Sequence, residues 1–117
     1  MHELGIAEAV LDALERRAGG RPVASARVRV GALLHVHEAS FAQSFALVAE
    51  GSVAAGAAVE LVVVPAELAC RACGRTSPVT EPMASCPACG AVAVELRGGD
   101  ELVLERLAYR PAGQPAG

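Results

Sequence analysis

The chain has 117 residues, of which 53% are hydrophobic and only 3% aromatic, and it carries a formal net charge of −3 at pH 7. That length suits one domain with a modest core, or a small domain plus a metal-stapled module, and a core rich in alanine and valine buries little area per residue. The negative balance argues against a nucleic-acid partner, which is usually met by a basic surface, and the apolar runs are too short and interrupted to span a membrane.

In chain order, the amino terminus Met1-His2-Glu3 shows neither a basic stretch nor an apolar leader with a cleavage site, so a cytoplasmic location is expected. From Glu3 to Ala18 the pattern is helical: Leu4, Ala7, Leu11, Leu14 and Ala18 form one stripe with Val10 beside it, and Asp12 and Arg16 are an i,i+4 pair. Gly19-Gly20-Arg21-Pro22 ends this helix. Ser25 to Leu34 alternates as a strand, with Ala26, Val28 and Val30 on one face and Arg27 and Arg29 on the other. A second helix is expected from about His37 to Ala49, with Phe41, Phe45 and Val48 on its apolar side and Glu38 at its positive dipole end. Ala58 to Val64 reads as a strand that Pro65 closes. Val92, Val94 and Leu96 alternate as a further strand, and Glu101 to Tyr109 is the last.

The four cysteines of the chain form two matched pairs, Cys70-Arg-Ala-Cys73 and Cys86-Pro-Ala-Cys89, each followed by glycine. Two-residue spacing lets two thiolates converge on one ion, and the glycine allows the tight turn that points backbone amides at the sulfurs. Two such knuckles make a closed tetrahedral S4 site, which Zn²⁺ favours. Disulfides fit less well in a chain without an export signal, and a redox Cys-X-X-Cys needs one pair rather than two. Between Ala66 and Gly90 the charges Glu67, Arg71, Arg75 and Glu81 cancel, and no aromatic side chain offers a stacking platform.

The expected fold is therefore α+β: two helices with a three-stranded sheet, plus an inserted zinc-knuckle module. Residues 1–65 and 98–110 would form the first part, in which the strand ending at Val64 pairs with the strand starting near Glu101. Residues 66–97 would form the zinc module, and 111–117 a flexible tail.

The amino terminus is a second candidate metal site. The Met1 amine, the His2 amide nitrogen and the His2 imidazole can close fused chelate rings, with the Glu3 amide as a fourth nitrogen. Four nitrogens in a plane, some of them deprotonated amides, suit Ni²⁺ or Cu²⁺ rather than tetrahedral Zn²⁺. Met-His is also a start that many chains carry by accident.

The segments MHELGIAEAVLDAL, VRVGALLHVHEASFAQSF, GAAVELVVVPAELACRACG, CPACG and GGDELVLERL resemble, in order and through about Tyr109, the HypA/HybF family of hydrogenase-maturation nickel chaperones. The resemblance implies nickel at Met1, His2 and Glu3 as transferred cargo, and structural zinc at Cys70, Cys73, Cys86 and Cys89. It also implies delivery to the large-subunit precursor of a [NiFe]-hydrogenase and a HypB-type GTPase partner, with the chain itself a monomer or weak homodimer. The chain departs from the family at Gly5, where serine is common, and at His37, near which members often place an acidic residue. His37 reads either as a supplementary nickel ligand or, like His35, as a surface residue near a helix start.

The chain carries no Ser/His/Asp set and no nucleotide loop, so no catalytic residues are assigned and an enzyme is not expected. The rival reading is a zinc-ribbon module that binds nucleic acid or protein with Met1-His2-Glu3 incidental. A third is an iron-tetrathiolate electron carrier, which would be red.

Overall fold

The computed structural model describes residues 2–111. Its elements run α1 (Glu3–Ala18), β1 (Val23–Gly31), a 3₁₀ turn (Ala32–Leu34), α2 (Glu38–Val48), β2 (Ala58–Val64), β3 (Ala66–Cys70), β4 (Thr76–Val79), β5 (Val94–Arg97) and β6 (Leu102–Tyr109). The α+β class holds, but there are two three-stranded sheets rather than one, ordered β2-β1-β6 and β4-β3-β5. The chain divides into two compact units. The first takes the residues up to Arg29, Val36–Val62 and the chain from Val103 on; the second takes Val30–His35 and Val63–Leu102.

In the first unit, α1 buries Ala7, Val10, Leu14 and Ala18. The apolar stripe therefore runs through Val10, while Leu4 is 54% exposed. The helix ends at Gly19, whose left-handed φ of 58° lets its amide return to the Glu15 carbonyl. The helix α2 buries Phe41 and Phe45, whose rings stack with centroids 5.8 Å apart. Strand β1 buries Ala26, Val28 and Val30, as its alternation predicts. Its other face carries Arg27, which reaches Glu60 on β2 at 3.0 Å, and Arg29, which reaches Glu105 on β6 at 3.1 Å. These cross-strand pairs show the correction to the expected topology: β1 lies in the middle, and β2 and β6 are not neighbours.

The second unit is built on β3, which pairs antiparallel with β4 (Ala66 opposite Val79, Ala69 opposite Thr76) and with β5 (Leu68 opposite Leu96, Cys70 opposite Val94). Pro65 does not end the extended chain; it separates β2 from β3, which belong to different sheets. Val92 lies outside the strand predicted for it and is 80% exposed. The core here is small: Ala66, Leu68 and Val79, flanked by Leu33 and Val94. Gly99 makes the close packing possible. Its φ is +79°, its carbonyl accepts the Leu33 amide at 2.8 Å, and a side chain on it would come within 2.6 Å of the Ala66 Cβ. Gly31 faces the same backbone, and a Cβ there would run into the Gly99 carbonyl group.

A tetrathiolate cluster and the helix start

The two knuckles are hydrogen-bonded alike. The Gly74 amide donates to the Cys70 carbonyl at 3.0 Å, and the Gly90 amide to the Cys86 carbonyl at 2.8 Å. Both glycines need positive φ, 76° and 78°. The turns bring amides onto sulfur: Cys73 N–H donates to Cys70 Sγ at 3.5 Å, and Ala88 N–H to Cys86 Sγ at 3.4 Å. The Arg71 amide bonds the Ala93 carbonyl at 2.8 Å, fastening the first knuckle to the chain that follows the second.

All four predicted sulfurs come together, within 4.8 Å of one another, in the single such cluster of metal-ligating side chains among the described residues. The closest approaches run between knuckles, Cys70 to Cys89 at 3.7 Å and Cys73 to Cys86 at 3.8 Å. Thiolates about 2.3 Å from a tetrahedral Zn²⁺ sit roughly 3.8 Å apart, so the spacing fits the ion. The amides of Cys89 and Ala88 lower the Cys86 thiol to about 6. The Cys73 amide lowers Cys70. The Ala91 amide favours the Cys89 thiolate too, but desolvation of its sulfur and the neighbouring sulfurs outweigh it and push Cys89 up to about 11. Four like charges so close need a cation, and a divalent metal supplies it.

Of the predicted nickel residues, His2, Glu3 and His37 lie in the first unit. His2 is exposed and stands at the N-cap of α1 with a left-handed φ of 58°. The first helical hydrogen bond runs from Ile6 N–H to the His2 carbonyl, 3.1 Å. The amides of His2 and Glu3 therefore lie ahead of the first helical donor, and removing their protons breaks no bond of the helix. Met1 is outside the described residues, as is the expected tail beyond Pro111.

The Glu3 carboxylate accepts the His37 backbone amide at 2.9 Å, and this bond is the main reason its carboxyl lies at about 2. Residues 3 and 37 are thus joined, but through the His37 backbone. The His37 ring is engaged elsewhere, as the N-cap of α2, with Nδ1 accepting the Ser40 amide at 3.3 Å and Ser40 Oγ 3.0 Å away. Sequence reasoning missed this cap, because histidine is outside the usual N-cap set of Ser, Thr, Asp and Asn. It also missed the Glu3 latch, since nothing local links positions 34 residues apart. His35 does not join the pair; it ends the 3₁₀ turn at φ 50° and meets Glu81 at 3.5 Å in the second unit.

An α+β chain whose four cysteines converge as a zinc site defines a zinc-bearing class of protein. Residues 1–109 match the family described as "Hydrogenase/urease nickel incorporation, metallochaperone, hypA". The chain belongs to the HypA family. It is 36% identical over 110 residues to the hydrogenase maturation factor HypA of Rhodopseudomonas palustris (strain BisB5), covering 92% of this chain and 97% of that protein. To the HypA of Geotalea daltonii it is 38% identical over 107 residues, with the same coverage. The fold matches the solution structure of the Ni metallochaperone HypA from Helicobacter pylori with a TM-score of 0.63 at 21% identity, over 93% of this chain and 97% of that one. Nickel incorporation in hydrogenase maturation is thus the setting, nickel the cargo and zinc the structural metal. Family membership favours this reading over the nucleic-acid-binding zinc ribbon and over the iron carrier. None of the described helices is long and apolar enough to cross a membrane.

Proposed function

We propose that the chain binds Ni²⁺ at its amino terminus, through the Met1 amine, the His2 and Glu3 amide nitrogens and the His2 imidazole, and passes it to the large-subunit precursor of a [NiFe]-hydrogenase. A HypB-type GTPase is the partner that supplies nucleotide hydrolysis, since the chain itself acts as a chaperone and not as an enzyme. The observation that supports this reading is the placement of the first helical bond at Ile6 N–H to His2 O, which frees the two amides required for chelation from any helical duty. Negative charge on them also sits at the favourable end of the helix dipole. His37 contributes to this site first by holding α2 in place; as a ligand it would use Nε2, because Nδ1 caps the helix.

In this reading the cargo is held in the first unit at an exposed position with replaceable donors, and zinc is locked in the second. Nickel transfer requires the first to be labile and the second to be inert, which is what nitrogen donors at a chain end and four convergent thiolates provide.

The test is nickel titration of protein with its native amino terminus against His2→Ala and against protein carrying a tag before Met1. Both changes should abolish the site, the tag because it turns the amine into an amide. Affinity in the native protein should fall steeply from about pH 7.5 to about pH 6, because every nitrogen of the chelate must be free of its proton to bind the metal. Equal affinity in tagged and native protein would remove the amino-terminal site.

A further inference from the structure

The basic side chains of this chain are arginines, with no lysine. Among the described residues, Arg16, Arg27, Arg29 and Arg97 are ion-paired, with Asp12, Glu60, Glu105 and Glu95. The arginines of the first unit outside such pairs are Arg17, Arg21, Arg106 and Arg110, and they gather around Tyr109.

The Arg17 carbonyl accepts the Tyr109 hydroxyl at 3.4 Å, and the Arg17 guanidinium donates to the Leu104 carbonyl of β6 at 3.1 Å. The Arg21 guanidinium lies 3.8 Å from the centre of the Tyr109 ring. The Arg110 amide bonds the Pro22 carbonyl at 2.9 Å, and Arg110 Nη2 reaches the Ala55 carbonyl at 3.4 Å. Arg106 is exposed on β6 between Leu104 and Tyr109. It borders a cavity of about 230 Å³ with the small side chains of Ser25, Ala58 and Ala108 and the paired Arg27 and Glu60.

These contacts hold the guanidinium heads without neutralising them. Carbonyl oxygens and a ring face engage few of the N–H donors that each head carries and cancel none of its charge. The neighbouring acids do not cancel it either. Asp12, Glu60 and Glu105 are already paired. On α1, at about 100° per residue, Glu8 and Glu15 fall roughly 160–180° around the axis from Arg17, on the opposite flank. Glu50, just past α2, is ion-paired with none of the four among the described residues. The result is a positive belt on a chain whose net charge is −3.

Charge complementarity asks for an acidic occupant, and the rest of the chain narrows its class. A protein segment brings separate carboxylates, each able to meet a planar guanidinium fork through two N–H groups. A nucleic acid brings an unbroken run of phosphates, which the overall negative charge repels, and the ring at the centre of the belt is already taken by Arg21. A second copy would have to present its Glu8 and Glu15 flank, a contact between unlike surfaces that builds rings or filaments rather than a closed pair.

We propose that the arginine belt around Tyr109 is a docking surface for an acidic segment of a partner protein, whose carboxylates engage Arg17, Arg21, Arg106 and Arg110. The inference is independent of how nickel is bound.

The experiment pans a phage-displayed library of random decapeptides on the full-length, zinc-loaded protein. Enriched peptides should be rich in aspartate and glutamate. A synthetic copy of the most enriched one should shift the amide resonances of Arg17, Arg21 and the end of β6, and should bind more weakly as salt rises. Arg21→Gln and Arg106→Gln, both at exposed positions, should each weaken its binding about threefold and together about tenfold, with helix and zinc content unchanged. Arg75→Gln removes the same charge from an exposed position in the zinc-bearing unit and should leave binding unchanged. The proposal fails if no peptide is enriched over an unrelated control protein, or if enriched peptides are neutral or basic or shift other amides. It fails if Arg75→Gln weakens binding as much as Arg106→Gln, which would mark a general charge effect. It also fails if a single-stranded oligonucleotide binds the belt more tightly than the peptide, or if the same amides shift on concentration alone, which would mark a second copy as the occupant.

Discussion

Glu3 does two things that its place in the sequence does not reveal together. Its amide belongs to the proposed nickel chelate, and its carboxylate holds the His37 amide at 2.9 Å. The second role has a pH signature. Hydrogen bonding from His37 leads the causes that lower the carboxyl from its ordinary 4.5 to about 2. A depressed folded value means that the contribution is fully present above the unfolded value and is lost as pH falls from about 4.5 through about 2. In metal-free protein the His37 amide resonance should therefore titrate with a midpoint near 2, and Glu3→Gln should remove that titration. A midpoint at the ordinary carboxylate value would show that the latch is not made in solution. The cysteines were readable from spacing alone, because two-residue pairs followed by glycine encode a turn that needs no distant partner. The latch was not, because it depends on how α1 and α2 come together.

The elements show the same division. Strand β1 was legible because its valines and arginines alternate, and α1 because its apolar residues recur at helical spacing. Strands β3 and β4 are five and four residues long, one following Pro65 and the other containing Pro78, and pairing makes them strands, β3 between β4 and β5 and β4 at the edge. Glycine substitutions separate local from tertiary demands. Gly5 lies inside α1 with open space where a Cβ would go, so Gly5→Ala should stabilise the protein by about 0.5–1 kcal/mol. Gly31→Ala is the same change in chemistry with the opposite sign: the new methyl would meet the Gly99 carbonyl, and the cost should be at least about 2 kcal/mol. Urea unfolding of the two variants against the parent checks both. A destabilised Gly5→Ala, or a neutral Gly31→Ala, would contradict the packing described.

Across the whole molecule, the two units differ in what holds them. The first has two helices and a sheet around Leu14, Val23, Val28, Phe41 and Phe45. The second has a core of Ala66, Leu68 and Val79 with two flanking side chains. Burying a Leu or Val contributes about 1.5–3 kcal/mol, while ordering each backbone residue costs about 1–2 kcal/mol. Such a core cannot order its unit alone, whereas structural zinc in small modules contributes roughly 10–16 kcal/mol. Stripping zinc under reducing conditions should therefore collapse the amide resonances of β3, β4 and β5 while the helical circular dichroism of α1 and α2 persists, and Cys73→Ala should act likewise. Loss of both signals together would mean that the first unit also depends on the metal. That the chain holds one closed metal site was legible from the cysteines. That the segment Val30–His35 belongs to the zinc-bearing unit was not, since it follows from the packing of Leu33 on Ala66 and Gly99 rather than from any local pattern.

Within the tetrathiolate cluster, burial is uneven. The first cysteine of each knuckle, Cys70 and Cys86, is buried; the second, Cys73 and Cys89, is exposed. Release of the ion therefore has a preferred order. A competing thiol or chelator in solution meets the outer pair of sulfurs first and displaces one arm from each knuckle, while the inner pair still grips the metal. Brief alkylation in the presence of a chelator, read by peptide mass spectrometry, should label the exposed Cys73 well before the buried Cys70 and Cys86, while Cys89, whose thiol desolvation and the neighbouring sulfurs push up, reacts more slowly than its exposure alone implies. Simultaneous labelling of all four would mean that the knuckles open as one. A stepwise exit leaves an intermediate in which zinc is held by two sulfurs and can be recaptured, so a partial opening closes again on the same ion and the module keeps its metal.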